Sequence, residues 1–337
     1  MHDSVQYSTG MAAQVAEEFE PSEHAVVTRS LVRRFGMVTA VDGIDLTVAK
    51  GEIYGFLGPN GAGKSSLVRM LCTLLRPHGG VAYVAGHDVV LEPQAVRVRI
   101  GVALQEAALD DRQSGRELLA LQGRLYGLDR SQIRNRVAQI LALVDIGEAI
   151  DRRIGTYSGG MKRRLDLAAA LIHNPDVLFL DEPTTGLDPA SRSSVWSEIR
   201  RLNSELATTI FLTTQYLDEA DALADRVGII ARGALVAEGT PDALKRSIGK
   251  DVIVAEVDGE DSLVIHSLEK LKGVDSVTAD HGRIVVSTSD GPAGLSPVAV
   301  ALHETSLEVK SLTLRTPTLD DVFMELTGSH IRAGERR

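Results

Sequence analysis

Short apolar runs alternate with helix-spaced apolar positions along much of the chain. Ile53–Leu57 precedes a helical pattern over Leu67–Leu75, and further apolar runs cover Val177–Leu180 and Ile210–Thr213. Runs that are apolar at every position are typical of parallel strands buried on both faces, whereas the apolar positions of a helix recur every three or four residues. The alternation predicts a parallel sheet flanked by helices, which is an α/β fold.

The pattern changes along the chain, and these changes predict the domain organisation. Residues 1–24 show little periodicity and are expected to form a flexible tail, whereas 25–246 carry the strand and helix alternation. Over about 107–165 the strand signal is lost and helical spacing predicts an inserted helical subdomain. Residues 247–337 are expected to form a small α+β domain. It is predicted to hold strands near 252–257, 276–279, 284–287 and 307–314, helices near 262–272 and 295–304, and a last helix opened by a capping box at Thr318 and Asp321.

The composition excludes several classes of protein. Hydrophobic residues make up 44% of the 337 positions, so the chain can bury a core and is not disordered as a whole. The formal charge of −10 argues against a surface that coats nucleic acid. A single cysteine, Cys72, excludes an internal disulfide and a cysteine-based metal site. No run of about 18 apolar residues is present, and no Lys or Arg precedes Arg29, so neither a bilayer span nor a secretory signal is predicted.

A glycine-rich loop joins the first predicted buried strand to the helical pattern after it. The loop has the form G-x-x-x-x-G-K-S, and with the next serine its residues are Gly58, Pro59, Asn60, Gly61, Ala62, Gly63, Lys64, Ser65 and Ser66. Glycines let backbone N–H groups wrap around a phosphate, and the helix N-terminus adds a partial positive charge. Lys64 is then placed to bind the β- and γ-phosphates of a nucleotide, and the Ser65 hydroxyl to ligate Mg²⁺. The alternative is a glycine-rich turn that carries a lysine by chance, and the flanking strand and helix argue against it.

Two acidic residues follow the apolar run Val177–Leu180. Asp181 and Glu182 lie at the C-terminal end of a predicted parallel strand, which is the edge of an α/β sheet where ligands bind. Asp181 can hold Mg²⁺ directly or through a water, and Glu182 can then polarise an attacking water. Taken alone, such a pair is more often part of a solvated loop, but the phosphate loop upstream favours the catalytic interpretation.

Four further segments, taken in order with the phosphate loop and the acidic pair, resemble the ATP-binding cassette family. They are Phe35 in Val32-Arg-Arg-Phe-Gly, Gln105 in Val102-Ala-Leu-Gln-Glu, the segment Tyr157-Ser158-Gly159-Gly160-Met161, and Gly186-Leu187-Asp188. In that order they are similar to the family's adenine-stacking aromatic, Q-loop, signature segment and D-loop. Each has an ordinary structural interpretation alone, such as a helix cap for Ser158 or a core position for Phe35. The order of the whole set carries the resemblance, which covers residues 25 to about 246.

The resemblance implies a fold and a reaction. The fold is a P-loop NTPase, with a RecA-like core, an antiparallel subsheet and a helical insertion, followed by the small C-terminal α+β domain. The reaction is hydrolysis of ATP, with Glu182 as the base or orienter of the attacking water. The implied cofactor is Mg²⁺, held by Ser65, Asp181 and Gln105.

The resemblance also implies partners. Two copies of the chain are expected to pack head to tail, so that Ser158, Gly159 and Gly160 of one copy close on the ATP held by the other. A separate transmembrane permease is expected to hold this homodimer at the cytoplasmic face of the cell membrane. No nucleic-acid partner is expected.

One position departs from the family's pattern. The family normally has a histidine in the switch that follows the strand at 210–213, and this sequence has Gln215 there. The amide of Gln215 can donate a hydrogen bond to a γ-phosphate and accept one from a neighbour, but it cannot become a cation. We expect Gln215 to take the switch role, with slower hydrolysis or a greater dependence on Glu182.

The same departure and the end of the chain indicate a subfamily. Thr214–Asp221 and Arg315–Phe323 resemble the daunorubicin/doxorubicin-resistance type of export ATPase, which implies efflux of drugs or other hydrophobic or lipid-like compounds. Two alternatives remain at this point: a nucleic-acid- or ribosome-associated cassette ATPase, and a regulatory cassette with little turnover. The consecutive bases Lys162, Arg163 and Arg164 would suit the first, but three neighbouring positions of a helix point in different directions, so we expect a solvated face.

Overall fold

The computed structural model describes residues 24–104, 109–258, 262–280, 282–305 and 307–327. These residues form two compact units, 24–241 and 242–327, and the division precedes the boundary expected after 246. Of the tail expected over 1–24, only His24 is described, as the first residue of a strand. Gln105 lies outside the described residues. Within the described ranges, no helix has the length and apolarity that crossing a bilayer requires.

The first unit contains the predicted alternation of strands and helices. Its strands are β1 (His24–Phe35), β2 (Val38–Ala49), β3 (Ile53–Leu57), β4 (Gly79–Val84), β5 (His87–Asp88), β6 (Ile100–Ala103), β7 (Val177–Asp181), β8 (Thr209–Thr214), β9 (Arg226–Ala231) and β10 (Ala234–Gly239). Its α-helices are α1 (Lys64–Leu71), α2 (Pro93–Arg99), α3 (Gly115–Leu125), α4 (Arg130–Leu143), α5 (Gly159–Ala170), α6 (Pro189–Leu206) and α7 (Leu217–Leu223).

The strands of the first unit form two sheets. The larger has the order β10-β9-β3-β8-β7-β6, with β6, β7, β8, β3 and β9 parallel and β10 antiparallel at one edge. The smaller is antiparallel, with the order β2-β1-β4-β5, and is the subsheet that the family resemblance implied. Because β3, β7 and β8 are parallel neighbours, their carboxyl ends meet at one edge, which brings the phosphate loop next to the acidic pair.

Aromatic side chains fill the space beside the central strands. The Phe211 ring of β8 packs against those of Tyr54, Phe56 and Phe179, with centroid distances of 5.4, 5.8 and 5.6 Å. These four residues are fully buried. The alternate positions of the same strands are buried in a second apolar cluster on the other face of the sheet. Burial on both faces explains why these strands are apolar at nearly every position.

Helix α1 is shorter than the sequence predicts. The apolar pattern predicts a helix to Leu75, but α1 ends at Leu71. Thr73 has φ +61°, a left-handed conformation that ends an α-helix. Leu74, which lies within the predicted helical pattern, is 58% exposed, whereas Leu67 and Leu71 are buried.

The range predicted for the helical insertion, about 107–165, contains α3, α4, two short 3₁₀ turns and the first half of α5. Both α3 and α4 begin with capping boxes, at Ser114 with Glu117 and at Asp129 with Gln132. The helical spacing of leucines over 118–125 marks α3 correctly. The outer positions of that pattern, Leu121 and Leu125, nevertheless remain exposed.

The second unit is the α+β domain predicted at the C-terminal end. Its strands are β11 (Asp251–Asp258), β12 (Val274–Asp280), β13 (Arg283–Thr288) and β14 (Glu308–Arg315). Its helices are α8 (Pro241–Ile248), whose first residue is the last of the first unit, α9 (Ser262–Glu269), α10 (Gly291–His303) and α11 (Leu319–Thr327). The strands form an antiparallel sheet in the order β12-β13-β11-β14. The predicted capping box is present, since Thr318 N–H donates to Asp321 and Asp321 N–H donates to Thr318 Oγ1.

Candidate functional site

The glycine-rich loop lies between β3 and α1, where two of its glycines are enclosed. Gly63 has φ +112°, and a Cβ atom there would lie 2.1 Å from the Ala40 carbonyl oxygen. A Cβ at Gly58 would lie 2.5 Å from the Ile230 carbonyl oxygen. Gly58 N–H also donates to the Thr214 carbonyl at 3.2 Å. The loop can therefore run tightly against β2, β8 and β9 only because these side chains are absent.

Lys64 begins α1 and its side chain is turned into the loop. Its Nζ donates to the carbonyls of Gly58 and Pro59 at 2.8 and 3.2 Å and lies 3.3 Å from Glu182 Oε1. The side chains of Lys64 and Glu182 are 4% and 7% exposed, so the ion pair is nearly excluded from water. Burial lowers the pKa of Lys64, and the attraction of Glu182 and Asp181 opposes that effect.

Asp181, at the end of β7, is surrounded by hydroxyl groups. Ser65 Oγ donates to Asp181 Oδ1 at 3.3 Å, and Thr213 Oγ1 donates to the same oxygen at 2.5 Å. Mg²⁺ usually takes one or two protein oxygens as ligands, and phosphate oxygens and waters occupy its other coordination positions. One carboxylate with hydroxyl neighbours beside a phosphate loop suits such an ion. No group of three or more His, Cys, Asp or Glu able to hold a metal occurs in the part of the chain that the structure describes. Ser65 and Asp181 supply oxygen atoms that could hold Mg²⁺ beside a bound phosphate.

Glu182 has an unusual backbone for a non-glycine residue. Its φ is +49°, in the left-handed region, which costs about 1–2 kcal/mol for an L-residue. Its N–H donates to the carbonyl and Oγ1 of Thr213, both at 3.1 Å, and Thr185 Oγ1 donates to Glu182 Oε2 at 3.1 Å. The strain occurs at a candidate catalytic carboxylate, and such strain persists only where neighbouring groups hold it.

Gln215 follows β8 and is 7% exposed. The residue before it, Thr214, accepts the N–H of Gly58, so the candidate switch position adjoins the phosphate loop through the backbone. The helix after it, α7, is anchored by the buried Glu219, whose Oε1 accepts hydrogen bonds from Thr184 Oγ1 at 2.7 Å and Trp196 Nε1 at 3.0 Å. Burial raises the pKa of Glu219. The anchoring role of Glu219 was not predicted, because no local pattern marks it.

The signature segment lies at the exposed start of α5. Ser158 is the N-cap of α5, and its Oγ accepts the Met161 N–H at 3.2 Å. Asp188 has a similar role at the start of α6, where it accepts the N–H and the hydroxyl of Ser191. Gly160 lies beside Ser191, since a Cβ built on Gly160 would be 3.7 Å from Ser191 Oγ. The signature segment and the D-loop are thus neighbours, with Ser158, Gly159 and Asp188 exposed.

Phe35 ends β1 and is 47% exposed. The Arg33 guanidinium carbon lies 4.7 Å from the centroid of its ring, in a cation–π arrangement. Arg33 also donates to the Arg76 carbonyl at 2.8 Å. The exposed aromatic surface agrees with a stacking position better than with the core position considered as its alternative.

The solvated face expected for Lys162, Arg163 and Arg164 is wrong for Arg163, which is 8% exposed. Its Nε donates to the Pro183 carbonyl at 2.9 Å, and its NH1 donates to the Leu104 carbonyl at 2.8 Å. The spacing of apolar residues along α5 could have predicted that Arg163 is buried. Arg163 shares a helix face with Leu167 and Ala170, both buried, at the spacing i, i+4 and i+7.

The structure brings Lys64, Ser65, Asp181 and Glu182 into one cluster of direct contacts. Among the described residues, no hydrogen bond or ion pair joins Ser158, Asp188 or Phe35 to this cluster. The cluster combines an anion-binding loop, a buried cation, a candidate magnesium ligand and a carboxylate. This arrangement can bind a nucleoside triphosphate and activate a water molecule that attacks its γ-phosphate.

Comparisons with known proteins agree with this geometry. Residues 41–185 match the family model described as "ABC transporter", and 239–327 match the model described as "ATP-binding protein DrrA1-3-like, C-terminal domain". The daunorubicin resistance ATP-binding protein DrrA3 of Streptomyces coeruleorubidus is 47% identical over 317 residues, which cover 93% of this chain and 99% of that protein. The daunorubicin/doxorubicin resistance ATP-binding protein DrrA of Streptomyces peucetius is 45% identical over 314 residues, which cover 90% of this chain and 92% of that protein. Among solved structures, cbiO1 of Clostridium perfringens, described as part of the ABC transporter complex cbiONQ, superposes with a TM-score of 0.62 at 27% identity and covers 66% of this chain and 90% of that one.

Proposed function

The chain belongs to the ATP-binding cassette transporter family, and from that premise we propose that it is the ATPase subunit of an exporter of drugs or other hydrophobic or lipid-like compounds. The observation that carries the ATPase assignment is the buried contact between Lys64 and Glu182, with Ser65 and Asp181 beside it. The cargo class follows from relatives that match nearly the whole chain and are named for daunorubicin and doxorubicin resistance.

In this proposal the phosphate loop, residues 58–66, holds the triphosphate of ATP and Phe35 stacks on the adenine. The backbone N–H groups of the loop and the ammonium of Lys64 bind phosphate oxygens. Ser65 and Asp181 would hold Mg²⁺ together with Gln105, which follows the last residue described before the gap at 105–108. When bound, Mg²⁺ would neutralise negative charge on the β- and γ-phosphates.

Hydrolysis proceeds by in-line attack of water on the γ-phosphorus, with the bond to the β–γ bridging oxygen breaking and ADP leaving. Glu182 accepts a hydrogen bond from the water and orients or deprotonates it. Lys64 offsets the charge that develops on the transferring phosphoryl group. Gln215 donates its amide N–H to a γ-phosphate oxygen in place of the family's usual histidine.

The partners proposed are a second copy of the chain and a transmembrane permease. Ser158 and Gly159 lie exposed at a helix N-terminus, which is a ready binding site for an anion held by another copy. ATP bound between the two copies then stabilises the dimer, and hydrolysis releases it. The permease carries the cargo and holds the dimer at the cytoplasmic membrane surface. No nucleic-acid partner is proposed.

Glu182→Gln tests the catalytic assignment. We expect turnover at saturating MgATP to fall by about 10²-fold or more, as for removal of a general base, with ATP still bound. Glu52→Gln is the matched control, because both glutamates are 8% exposed and Glu52 is paired with Arg226 away from the loop. Equal turnover in the Glu182→Gln and wild-type chains would overturn the assignment.

A pull-down tests the transport assignment. The tagged Glu182→Gln chain is added with ATP to detergent-solubilised membranes from cells that natively express this protein, and an untagged chain serves as the control. Recovery of a polytopic membrane protein in stoichiometric amount supports the exporter. Recovery of ribosomal or DNA-bound proteins without a membrane partner would overturn it.

A further inference from the structure

The backbone of Glu182 is held from one side by strand β8. Glu182 has φ +49°, a conformation that is strained for any residue other than glycine. Its N–H donates to the carbonyl and Oγ1 of Thr213 in β8. The orientation of the carboxylate also depends on the backbone on both sides of Glu182, where the carbonyls of Asp181, the residue before it, and Pro183, the residue after it, are exposed to hydrogen-bond donors. Both of these carbonyls accept hydrogen bonds from one side chain of helix α5.

That side chain is Arg163. Its Nε lies 2.9 Å from the Pro183 carbonyl oxygen, and its NH2 lies 3.4 Å from that of Asp181. Its NH1 binds the Leu104 carbonyl at 2.8 Å and Asp166 Oδ2 at 3.1 Å. A guanidinium presents its donors in one rigid plane, so it can bind several carbonyls at once, which an ammonium cannot do in the same geometry.

We propose that Arg163 is a positioning residue for ATP hydrolysis, which holds the carbonyls of the two residues that flank Glu182, Asp181 and Pro183, and couples them to helix α5. The proposal rests on the catalytic role of Glu182 given above. Arg163 does not touch the reacting atoms and acts through the backbone.

The hydrogen bonds of Arg163 link helix α5 to the backbone that carries the catalytic carboxylate. The helix begins at Ser158, the residue proposed to close on ATP bound by the other copy, and Arg163 lies one to two turns further along. The same guanidinium binds the carbonyl of Leu104, immediately before the predicted Q-loop glutamine. A displacement of α5 or of the chain at Leu104 therefore reaches Glu182 through one side chain.

The test compares Arg163→Met with Arg164→Met in the purified full-length chain. Arg164 is the matched control because it is on the same helix and binds Glu198 and Ser194 at 2.7 and 2.6 Å, away from Glu182. We expect Arg163→Met to lower kcat about tenfold or more, part of what a positioned general base supplies, with Kd for MgATP changed less than about threefold. Arg164→Met should keep kcat. Similar losses of kcat in the two variants would overturn the proposal.

A double-mutant cycle separates positioning from a general structural defect. In the Glu182→Gln background, Arg163→Met should have almost no further effect on the residual single-turnover rate, because the group that Arg163 positions is already inactive. An equal fold-loss in both backgrounds would overturn the proposal. If Arg163→Met fails to fold, Arg163→Lys takes its place in the same cycle. If wild type and Glu182→Gln turn over equally, the proposed function of Glu182 fails instead, which is a distinguishable result.

Discussion

Lys64 Nζ lies 3.3 Å from Glu182 Oε1, and both side chains are almost fully buried. The cation proposed to bind phosphate is thus paired with the carboxylate proposed to activate water. Lys64 Nζ also donates to the carbonyls of Gly58 and Pro59. An ammonium has three N–H donors, so a phosphate that binds Nζ has to displace at least one of these three partners. A phosphate in the loop and the carboxylate of Glu182 therefore compete for the same ammonium.

Lys64→Ala should abolish ATP turnover, with a loss of about 10²-fold or more, because it removes the cation that stabilises the transferring phosphoryl group. It should also lower Tm, since it leaves Glu182 buried without its counter-ion. Lys64→Ala/Glu182→Gln should recover part of that Tm. Lys310→Met, which removes an exposed ion pair with Asp258, is the control. Retained turnover in Lys64→Ala would contradict the catalytic arrangement.

Gly63→Ala should destabilise the first unit far more than Gly61→Ala. A Cβ at Gly63 meets the Ala40 carbonyl oxygen at 2.1 Å, whereas a Cβ at Gly61 has no atom within 4 Å and is opposed only by its φ of +79°. We expect about 1–2 kcal/mol for Gly61→Ala from backbone strain alone and more than twice that for Gly63→Ala. Thermal unfolding measures both. Equal shifts of Tm would show that the close approach to Ala40 does not govern the loop.

Gln215→Ala should lower the single-turnover rate of ATP hydrolysis about tenfold, the scale of one hydrogen bond to a charged group. The reason is the loss of the amide that we propose donates to the γ-phosphate. Gln139→Ala, at an exposed position of α4 where the side chain binds Arg136, should leave the rate unchanged. An unchanged rate for Gln215→Ala means that Gln215 does not act as the switch.

Asp166 gives the stability a pH dependence with a defined sign. Burial raises its pKa to about 6, and Arg163 opposes the shift. The folded chain therefore binds this proton more tightly than the unfolded chain, so the stabilisation is present below about pH 4 and is lost as the pH rises through about 6. The Tm of wild type relative to Asp166→Asn should be about 2–4 °C higher at pH 5 than at pH 7.5. The same difference at both pH values would contradict the raised pKa.

Local sequence features determined the main elements of the site. The strand at Ile53–Leu57, the loop after it and the acidic pair at the end of β7 were predictable, because glycines, apolar runs and the lysine-serine pair act over a few residues. The order of segments around them also predicted the family. The antiparallel subsheet was predicted from that resemblance alone, although Gly36 and Met37 form a two-residue loop between β1 and β2 that is typical of an antiparallel hairpin.

Tertiary structure decided the contacts that the local pattern could not contain. Lys64 meets Glu182 because the sheet order places β3, β8 and β7 side by side, and that order depends on packing across the whole first unit. Arg163 was expected in solvent because three consecutive bases on a helix point in different directions and do not form one patch. The fold instead buries it, because the carbonyls of Leu104, Asp181 and Pro183 provide enough hydrogen-bond acceptors to compensate for its desolvation. The sequence by itself determined which groups carry the chemistry, whereas the tertiary structure decided which of them face one another, because those contacts join residues far apart in the chain.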